Sequence, residues 1–288
     1  MRGAFLEGRG VLTVTGADAG RFLDNLLTND VSRLTPGRAA YAALLTPQGK
    51  IIIDMLVSRI EGGFRLDAPG HLSADLARRL ALYKLRSKIE IAELGDKVRV
   101  LALWGDGELL PRGGPELVID PRLPGLGGRA YVAPDVKMPE GVVPVGLEGY
   151  RAHRIALGMP QGGLDFVYGE AFPHEACLDQ LNGIDFKKGC YVGQEVVSRM
   201  EHRGTARTRV TPVLIDGLPP EIGAAVTAGD RTIGRMGSSS EGRGLALLRL
   251  DRAAEAREAG QPLIAGAAML TVERAAWARY AFPGETAA

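Results

Sequence analysis

A cysteine flanked by glycine on its N-terminal side is the clearest candidate for chemistry in this sequence. Cys190 lies in the segment Asp185-Phe-Lys-Lys-Gly-Cys-Tyr-Val-Gly-Gln-Glu-Val-Val-Ser-Arg199. Gly189 and Gly193 predict a tight turn that opens onto a helix. Backbone amides at a helix start, with the two preceding lysines, would put positive potential beside the sulfur and favour the reactive thiolate. The same surroundings would attract a carboxylate or a phosphate.

Polar side chains continue into the predicted helix. Gln194, Glu195 and Arg199 lie in its first turns, and Glu195 and Arg199 are spaced i, i+4 on one face. Two simpler interpretations stay open. Free cysteines are often small buried hydrophobes, and an i, i+4 pair can be a surface feature only. Cys177, at helical spacing with two leucines, is predicted to be a core residue.

Asp54 is a second candidate because it interrupts the apolar strand Ile51–Val57. An isolated carboxylate in such a strand must be paired, hydrogen-bonded or on a cavity wall. The alternative is a strand position that faces solvent.

Apolar periodicity predicts the elements that position these residues. We expect a helix capped by Asp18, a hairpin of Tyr41–Thr46 and Ile51–Ile60, a strand at Phe64–Asp67 and a helix at Ala74–Lys84. Further expected strands are 88–92, 98–104, 117–119 and 130–133, and further expected helices are 147–157, 173–181 and 192–202.

After Gly204 the sequence changes to short β-biased runs separated by turns, which predicts a small barrel or sandwich. We therefore predict two regions, residues 1–205 and residues 206–288.

The composition excludes several classes of protein. A net charge of +1 over 288 residues gives no global attraction to nucleic acid or membrane, so we expect neither as a stable partner. The sequence shows no apolar run of a signal peptide or a membrane span, which predicts a soluble cytoplasmic protein, and we expect a monomer. Two cysteines cannot supply four cluster ligands, so any iron–sulfur role must be indirect or use thiols from elsewhere.

The motif Lys-Gly-Cys-Tyr-x-Gly-Gln-Glu, here Lys188 to Glu195, resembles the signature of YgfZ-type folate-binding proteins. That family includes bacterial proteins and mitochondrial iron–sulfur assembly factors. Other blocks are similar to the related glycine-cleavage T-proteins: Asp18-Ala-Gly-Arg-Phe-Leu, Leu45-Thr-Pro-Gln-Gly-Lys, Pro173-His-Glu-Ala and Ala246-Leu-Leu-Arg-Leu-Asp.

The resemblance implies an α+β fold, a cloverleaf-like folate-binding region followed by a small C-terminal β-barrel. It implies tetrahydrofolate as cofactor, with Asp54 beside the nitrogens that carry the one-carbon unit. Glu175 would hold the pterin edge, and Lys188 and Arg199 would hold the glutamyl carboxylates. The other implied folate positions are Tyr191, Gln194 and Glu195, and Cys190 and Asp54 are the implied catalytic residues.

One departure separates this chain from the T-proteins and from many YgfZ-type members. Their Arg-x-Glu-x-Gly motif reads Arg154-Ile-Ala-Leu-Gly158 here, so Ala156 replaces a glutamate. The resemblance therefore favours a tetrahydrofolate-binding accessory protein that supports iron–sulfur assembly or repair in client enzymes, including tRNA-modifying ones, with other iron–sulfur proteins as partners.

Two alternatives remain. A folate-dependent aminomethyltransferase would use Asp54. An RNA- or protein-docking module would use the basic run Arg199, Arg203, Arg207 and Arg209.

Overall fold

The computed structural model describes residues 1–105, 117–204 and 206–280. The chain divides into two compact units. Unit 1 comprises Met1–Tyr150 and Leu181–Gln194, and unit 2 comprises Arg151–Gln180 and Glu195–Ala288. The chain therefore leaves unit 1, returns to it for one short segment and leaves it again.

The described part of unit 1 contains two five-stranded sheets with helices. Its elements are β1 (Arg2–Phe5), β2 (Arg9–Thr15), α1 (Ala19–Asp24), β3 (Ala39–Leu45), β4 (Ile51–Ile60), β5 (Gly63–Pro69), α2 (Ser73–Lys84), β6 (Glu90–Glu93), β7 (Arg99–Trp104), β8 (Leu117–Ile119), β9 (Gly128–Val132), β10 (Val143–Pro144) and the start of α3 (Gly146–Ala156). One sheet has the order β3-β4-β5-β2-β6 and the other β10-β1-β7-β9-β8.

The predicted hairpin is confirmed. Strands β3 and β4 pair antiparallel, with Ala43 opposite Asp54, and the turn between them is closed by the Gly49 amide, which donates to the Thr46 carbonyl at 2.8 Å. Every second residue of β4, Ile53, Met55 and Val57, is buried in the main core. Because successive side chains of a strand point to opposite faces, Asp54 lies on the other face of the sheet.

Helices α1 and α2 cover the core face of this sheet, because their apolar residues recur at helical spacing. Phe22, Leu23, Leu76 and Leu80 are all buried in that core. Asp18 precedes α1 as expected, but its side chain makes no capping bond; its carboxylate accepts from the Lys88 amide at 2.7 Å.

One predicted helix, 173–181, is wrong. The segment forms consecutive turns, with Cys177 at a φ of 60°. A left-handed residue in the middle of the segment interrupts the regular i to i−4 hydrogen-bonding pattern.

Unit 2 contains a closed six-stranded barrel, which confirms the predicted C-terminal β-structure. Its regular elements after α3 are α4 (Gln194–Arg203), which begins at the last residue of unit 1, then β11 (Thr208–Asp216), β12 (Ala225–Ala228), β13 (Arg231–Ser240), β14 (Arg243–Arg249), α5 (Leu250–Glu258), β15 (Leu263–Ala265) and β16 (Ala268–Val272). The barrel order is β11-β14-β13-β12-β15-β16.

The sequence reasoning missed β1, β2 and α5. Ala253 and Ala256 of α5 pack into the barrel core. The boundary at residue 205 stays a prediction. The barrel begins at Thr208, but Arg151–Gln180 also belongs to unit 2. Across the described residues, no helix is both long and apolar enough to span a bilayer.

Candidate functional site

The segment that carries Cys190 is fastened to unit 1 through the connection between α1 and β3. The Thr28 hydroxyl donates to the Gly183 carbonyl at 2.6 Å, and the Asp185 amide donates to the Thr28 carbonyl at 3.0 Å. Both bonds link residues more than 150 positions apart in the sequence. The motif is therefore part of the folded frame of unit 1.

Lys188 makes the strongest of these attachments. Its ammonium donates to the carbonyls of Asp24, Leu27 and Asn29, each at 2.8 Å. Burial lowers the pKa of Lys188, and the charges of Asp24, Asp30 and Asp185 partly offset that effect. All three N–H donors are thus engaged, so a folate carboxylate would have to displace a carbonyl; the predicted role of Lys188 stays a prediction.

Cys190 itself is exposed and is not in a disulfide. Helix α4 begins at Gln194, so the cysteine lies four residues upstream of the helix, outside its first turn. The Lys188 ammonium is bound to carbonyl oxygens instead of the sulfur, and the predicted thiolate-favouring surroundings of Cys190 stay a prediction.

Gly193 is the glycine that the motif requires. Its φ is 82°, and a Cβ atom there would lie 2.6 Å from the Thr46 carbonyl oxygen in the β3–β4 turn. At Gly189, by contrast, a Cβ atom would meet nothing within 4 Å. The close backbone approach at Gly193 holds the motif against the hairpin that carries Asp54.

Tyr191 and Gln194 complete the unit 1 part of the motif. The Tyr191 side chain is buried, and burial together with the charge of Asp185 raises its pKa to about 12. Its ring lies 5.5 Å from the Lys188 ammonium. The Gln194 amide donates to the Tyr191 carbonyl at 3.3 Å, which closes the turn before α4.

Asp54 is 8% exposed and accepts a hydrogen bond from the Tyr41 hydroxyl at 2.8 Å. Burial and the adjacent carboxylate raise the pKa of Tyr41 well above its usual value, so the phenol remains a donor over the physiological range. The guanidinium of Arg122 lies 5.4 Å above the Tyr41 ring. The solvent-facing interpretation of Asp54 is therefore wrong, and the hydrogen-bonded one is confirmed.

A buried charge network that the sequence reasoning missed lies beside this pair in unit 1. Asp120 accepts two bonds from Arg122, at 2.6 and 2.9 Å. Asp67 accepts from Arg9 at 2.6 Å and from Arg129. Burial alone would raise the pKa of both carboxyl groups, but the arginine charges outweigh it and hold both pKa values below normal. The only sequence signal was charged residues in strands rich in apolar residues, as at Asp67 and Arg129, whereas Asp120 and Arg122 follow β8.

The remaining predicted site residues lie in unit 2 and make local contacts there. The Glu175 carboxylate accepts from the Phe172 amide at 2.8 Å. Glu195 and Arg199 form an exposed ion pair at 2.5 Å, as the simpler interpretation expected. Their folate-binding roles stay predictions.

Three further features of unit 2 concern the second cysteine, the basic run proposed for RNA docking, and a group of side chains with metal-ligating atoms. Cys177 is buried, as predicted, and burial raises its pKa to about 12. Arg209 is also buried and pairs with Asp179 at 2.8 Å, so the basic run does not form one surface for RNA. The ligand atoms of His174, Asp179 and Glu201 lie within 4.8 Å of one another, but the Arg209 guanidinium holds both oxygens of Asp179, and a metal cation would have to compete with it.

Ala156, which replaces the glutamate of the T-protein motif, lies two positions after the buried Arg154. Arg154 donates to Asp165 at 2.8 Å and to the Ser238 hydroxyl at 2.7 Å. Asp165 in turn accepts from the Ser238 amide at 2.7 Å. The arginine of the motif is thus fully integrated into unit 2, although Ala156 carries no carboxylate.

Comparison with known proteins agrees with this architecture. Residues 7–107 match the family model described as the GCVT N-terminal domain, and residues 207–280 match the CAF17 C-terminal beta-barrel domain. The crystal structure of glycine cleavage system aminomethyltransferase T from Bartonella henselae covers 95% of this chain, and the chain covers 85% of that structure, with a TM-score of 0.72 and 16% identity. The fold is therefore that of the T-proteins with a closed C-terminal barrel.

Relatives define the family more narrowly. The chain is 34% identical over 274 residues to the human mitochondrial iron–sulfur cluster assembly factor IBA57, which covers 84% of this chain and is itself covered to 76%. It is 35% identical over 232 residues to the mitochondrial IBA57 homologue of Mycosarcoma maydis. That match includes 74% of this chain but only 57% of the length of the relative. The chain belongs to the IBA57 family of iron–sulfur cluster assembly factors.

These comparisons confirm the T-protein superfamily and the relation to mitochondrial assembly factors, while the narrower YgfZ-type assignment stays a prediction. The expected cytoplasmic location is wrong by the same comparison, because the relatives are named as mitochondrial proteins.

Proposed function

We propose that this chain is a tetrahydrofolate-binding accessory factor in the assembly or repair of iron–sulfur clusters. The observation that carries the proposal is the relation to human IBA57 over three quarters of its length, 76%, at 34% identity. Client enzymes, tRNA-modifying ones among them, are part of the proposal.

The folate part of the proposal is supported by Asp54 and its surroundings. Its buried carboxylate, oriented by Tyr41, can accept N–H donors such as those of a pterin and its bridging nitrogen. A reduced folate would bring a one-carbon carrier next to a fixed acceptor. Glu175, Tyr191, Gln194, Glu195 and Arg199 remain the other proposed folate positions.

The cluster part of the proposal is supported by Cys190. Of the two cysteines, it is the exposed one, and its segment is fixed on unit 1 by Lys188 and Gly193. One accessible thiol cannot hold a cluster alone, so Cys190 would share cluster ligation or exchange with thiols of a partner protein.

Anaerobic titration of the purified chain with tetrahydrofolate tests the folate part. We expect saturable one-site binding that Asp54→Asn and Tyr41→Phe each weaken at least tenfold, because a bond to a charged acceptor contributes about 1.5–3 kcal/mol. Tyr131→Phe is the matched control, since that phenol donates at 3.2 Å to Asp67, which keeps two arginine donors. Absence of binding at millimolar folate would contradict a folate site.

Complementation tests the cluster part independently. Cells lacking the protein should lose activity of iron–sulfur enzymes, and Cys190→Ser should fail to restore it, whereas Cys177→Ser should restore it if the fold is retained. Formation of methylenetetrahydrofolate from an aminomethyl carrier by the purified chain, with normal cluster enzymes in the deletion strain, would instead establish the aminomethyltransferase alternative.

A further inference from the structure

The C-terminal end of helix α2 displays a group of apolar side chains to solvent. Leu82, Tyr83 and Leu85 are 69%, 42% and 89% exposed. Isolated exposed apolar residues are common, but three within four positions form a continuous feature. We call Leu82–Lys88 the α2-end patch.

Leu85 adopts a backbone conformation that leucine avoids. Its φ is 43° and its ψ is −109°, and the Ser87 amide donates to the Lys84 carbonyl at 2.8 Å to close a turn around it. This is the first central position of a type II′-like turn, which glycine normally occupies. The Leu85 side chain is almost wholly exposed, so packing within unit 1 does not compensate for the backbone strain. Backbone outliers of this kind concentrate at binding sites.

Next to this turn lies an open depression of about 730 Å³ that is lined by both apolar and cationic side chains. Phe22 and Leu26 of the α1 region line it together with Tyr83 and Leu85. Arg21 and Arg86 add guanidinium groups.

The lining of this depression holds one carboxylate, that of Asp18, against the two guanidinium groups, so it keeps a net positive charge. Asp18 accepts from the Lys88 backbone amide. Across the described ranges, no carboxylate lies within ion-pair distance of Arg21, Lys84, Arg86 or Lys88. The neighbouring arginines of α2 differ, because Arg78 and Arg79 both pair with Asp75.

We propose that the α2-end patch binds a short segment of a partner protein in which an apolar side chain is flanked by carboxylates. The apolar lining residues would take the side chain. Arg21 and Arg86 of the lining, with Lys84 and Lys88 beside it in the sequence, would take the carboxylates. Of the two aromatic side chains in the lining, Phe22 is buried, so Tyr83 alone offers little stacking to RNA. A concave depression also suits an inserted side chain better than a flat lipid surface. The inference goes beyond the proposed function, because it uses neither Asp54 nor Cys190.

The test is a binding titration of the full chain with a synthetic peptide that has one leucine between pairs of glutamates. We expect saturable binding with a Kd of about 0.1 mM or tighter, weakening as NaCl rises from about 0.05 to about 0.5 M. The same peptide with lysines in place of glutamates should not bind.

Three variants sharpen the test. Leu85→Gly should weaken binding at least tenfold without loss of folding, because glycine suits the positive φ of this turn. Arg86→Glu should weaken binding to a similar extent. Leu218→Gly, which removes another leucine that is 78% exposed, should leave binding unchanged.

The proposal is overturned if the acidic peptide fails to bind at about 1 mM, binds no better than the basic one, or binds Leu85→Gly equally well. It is also overturned if the chain binds vesicles containing about 20% phosphatidylserine through Leu85 and Arg86 while ignoring the peptide, which would make the patch a membrane contact.

Discussion

The two thiols of the chain have opposite surroundings. Cys190 is exposed, whereas Cys177 is buried with its sulfur 3.4 Å from the Val210 carbonyl oxygen. Burial also raises the pKa of Cys177 to about 12, which suppresses its thiolate at neutral pH. Because reactivity depends on both access and thiolate content, the fold reserves thiol chemistry for one residue.

We therefore predict that an alkylating agent at pH 8 modifies the native chain once, at Cys190. Cys177 should react only after unfolding, and its rate in increasing urea should follow the unfolding transition. Mass spectrometry of digested samples measures both sites, with Cys190→Ser as the control. Equal labelling of the two cysteines under native conditions would contradict the buried position of Cys177.

Among the elements, the segment Leu181–Gln194 depends on one backbone position as well as on the charged side chain of Lys188. Gly193 has a positive φ and comes so near the β3–β4 turn that a Cβ atom has no room, while Gly189 lies in open space. The two glycines of one motif thus have different structural roles, which their shared identity in the sequence conceals.

Gly193→Ala should accordingly lower the free energy of unfolding by about 1–3 kcal/mol, the cost of strained backbone together with displacement of the Thr46 carbonyl. Gly189→Ala should change it by less than about 0.5 kcal/mol. Urea denaturation followed by circular dichroism compares the two. A larger loss for Gly189→Ala would mean that the closeness of the motif to the hairpin does not matter for stability.

The elements also show where sequence reasoning succeeds. The β3–β4 hairpin and the barrel strands were predictable because apolar runs and turn residues are adjacent in the sequence. The partners of Lys188 were not, since they lie about 160 positions away and are backbone carbonyls, which carry no residue-specific signal. The expected helix at 173–181 failed because its apolar spacing did not reveal the left-handed Cys177.

For the candidate site, the motif identified Cys190 and the interrupted strand identified Asp54. Tyr41, which orients Asp54, was hidden because an aromatic residue in a strand normally indicates only packing. The part of the arginine network around Asp67 was hidden because its pairs join distant strands. Asp67 and Arg129, for example, are 62 positions apart.

At the scale of the whole molecule, the buried carboxylates make stability depend on acid. The pKa values of Asp67 and Asp120 in the folded chain lie below the ordinary 3.8, so their contribution is complete above that value and is lost as pH falls through the lower folded values. We predict that the urea midpoint is steady near neutrality and falls steeply below about pH 4.

A double variant, Asp67→Leu with Arg129→Met, should keep the fold, because replacing a buried ion pair by apolar groups is often neutral or better and Arg9 keeps its bond to the backbone carbonyl of residue 67. It should flatten this acid limb in part, since Asp120 still titrates. Asp75→Asn is the surface control, since its pairs with Arg78 and Arg79 are exposed, and it should leave the steep limb in place. An unchanged acid limb in the double variant would assign the effect to other carboxyl groups.

The threading of the chain between units also governs how the molecule can be made. Unit 1 is not complete at Tyr150. The carbonyls of Asp24, Leu27 and Asn29 accept their hydrogen bonds from Lys188, which belongs to the segment that returns to unit 1 later in the chain. During synthesis, the first unit must wait, partly assembled, until the ribosome has released residues beyond Gln194. A chain terminated before Lys188 would contain neither a finished first unit nor the exposed thiol of Cys190. Such premature products would be recognisable to proteases as unfolded rather than persist as folded but inactive competitors.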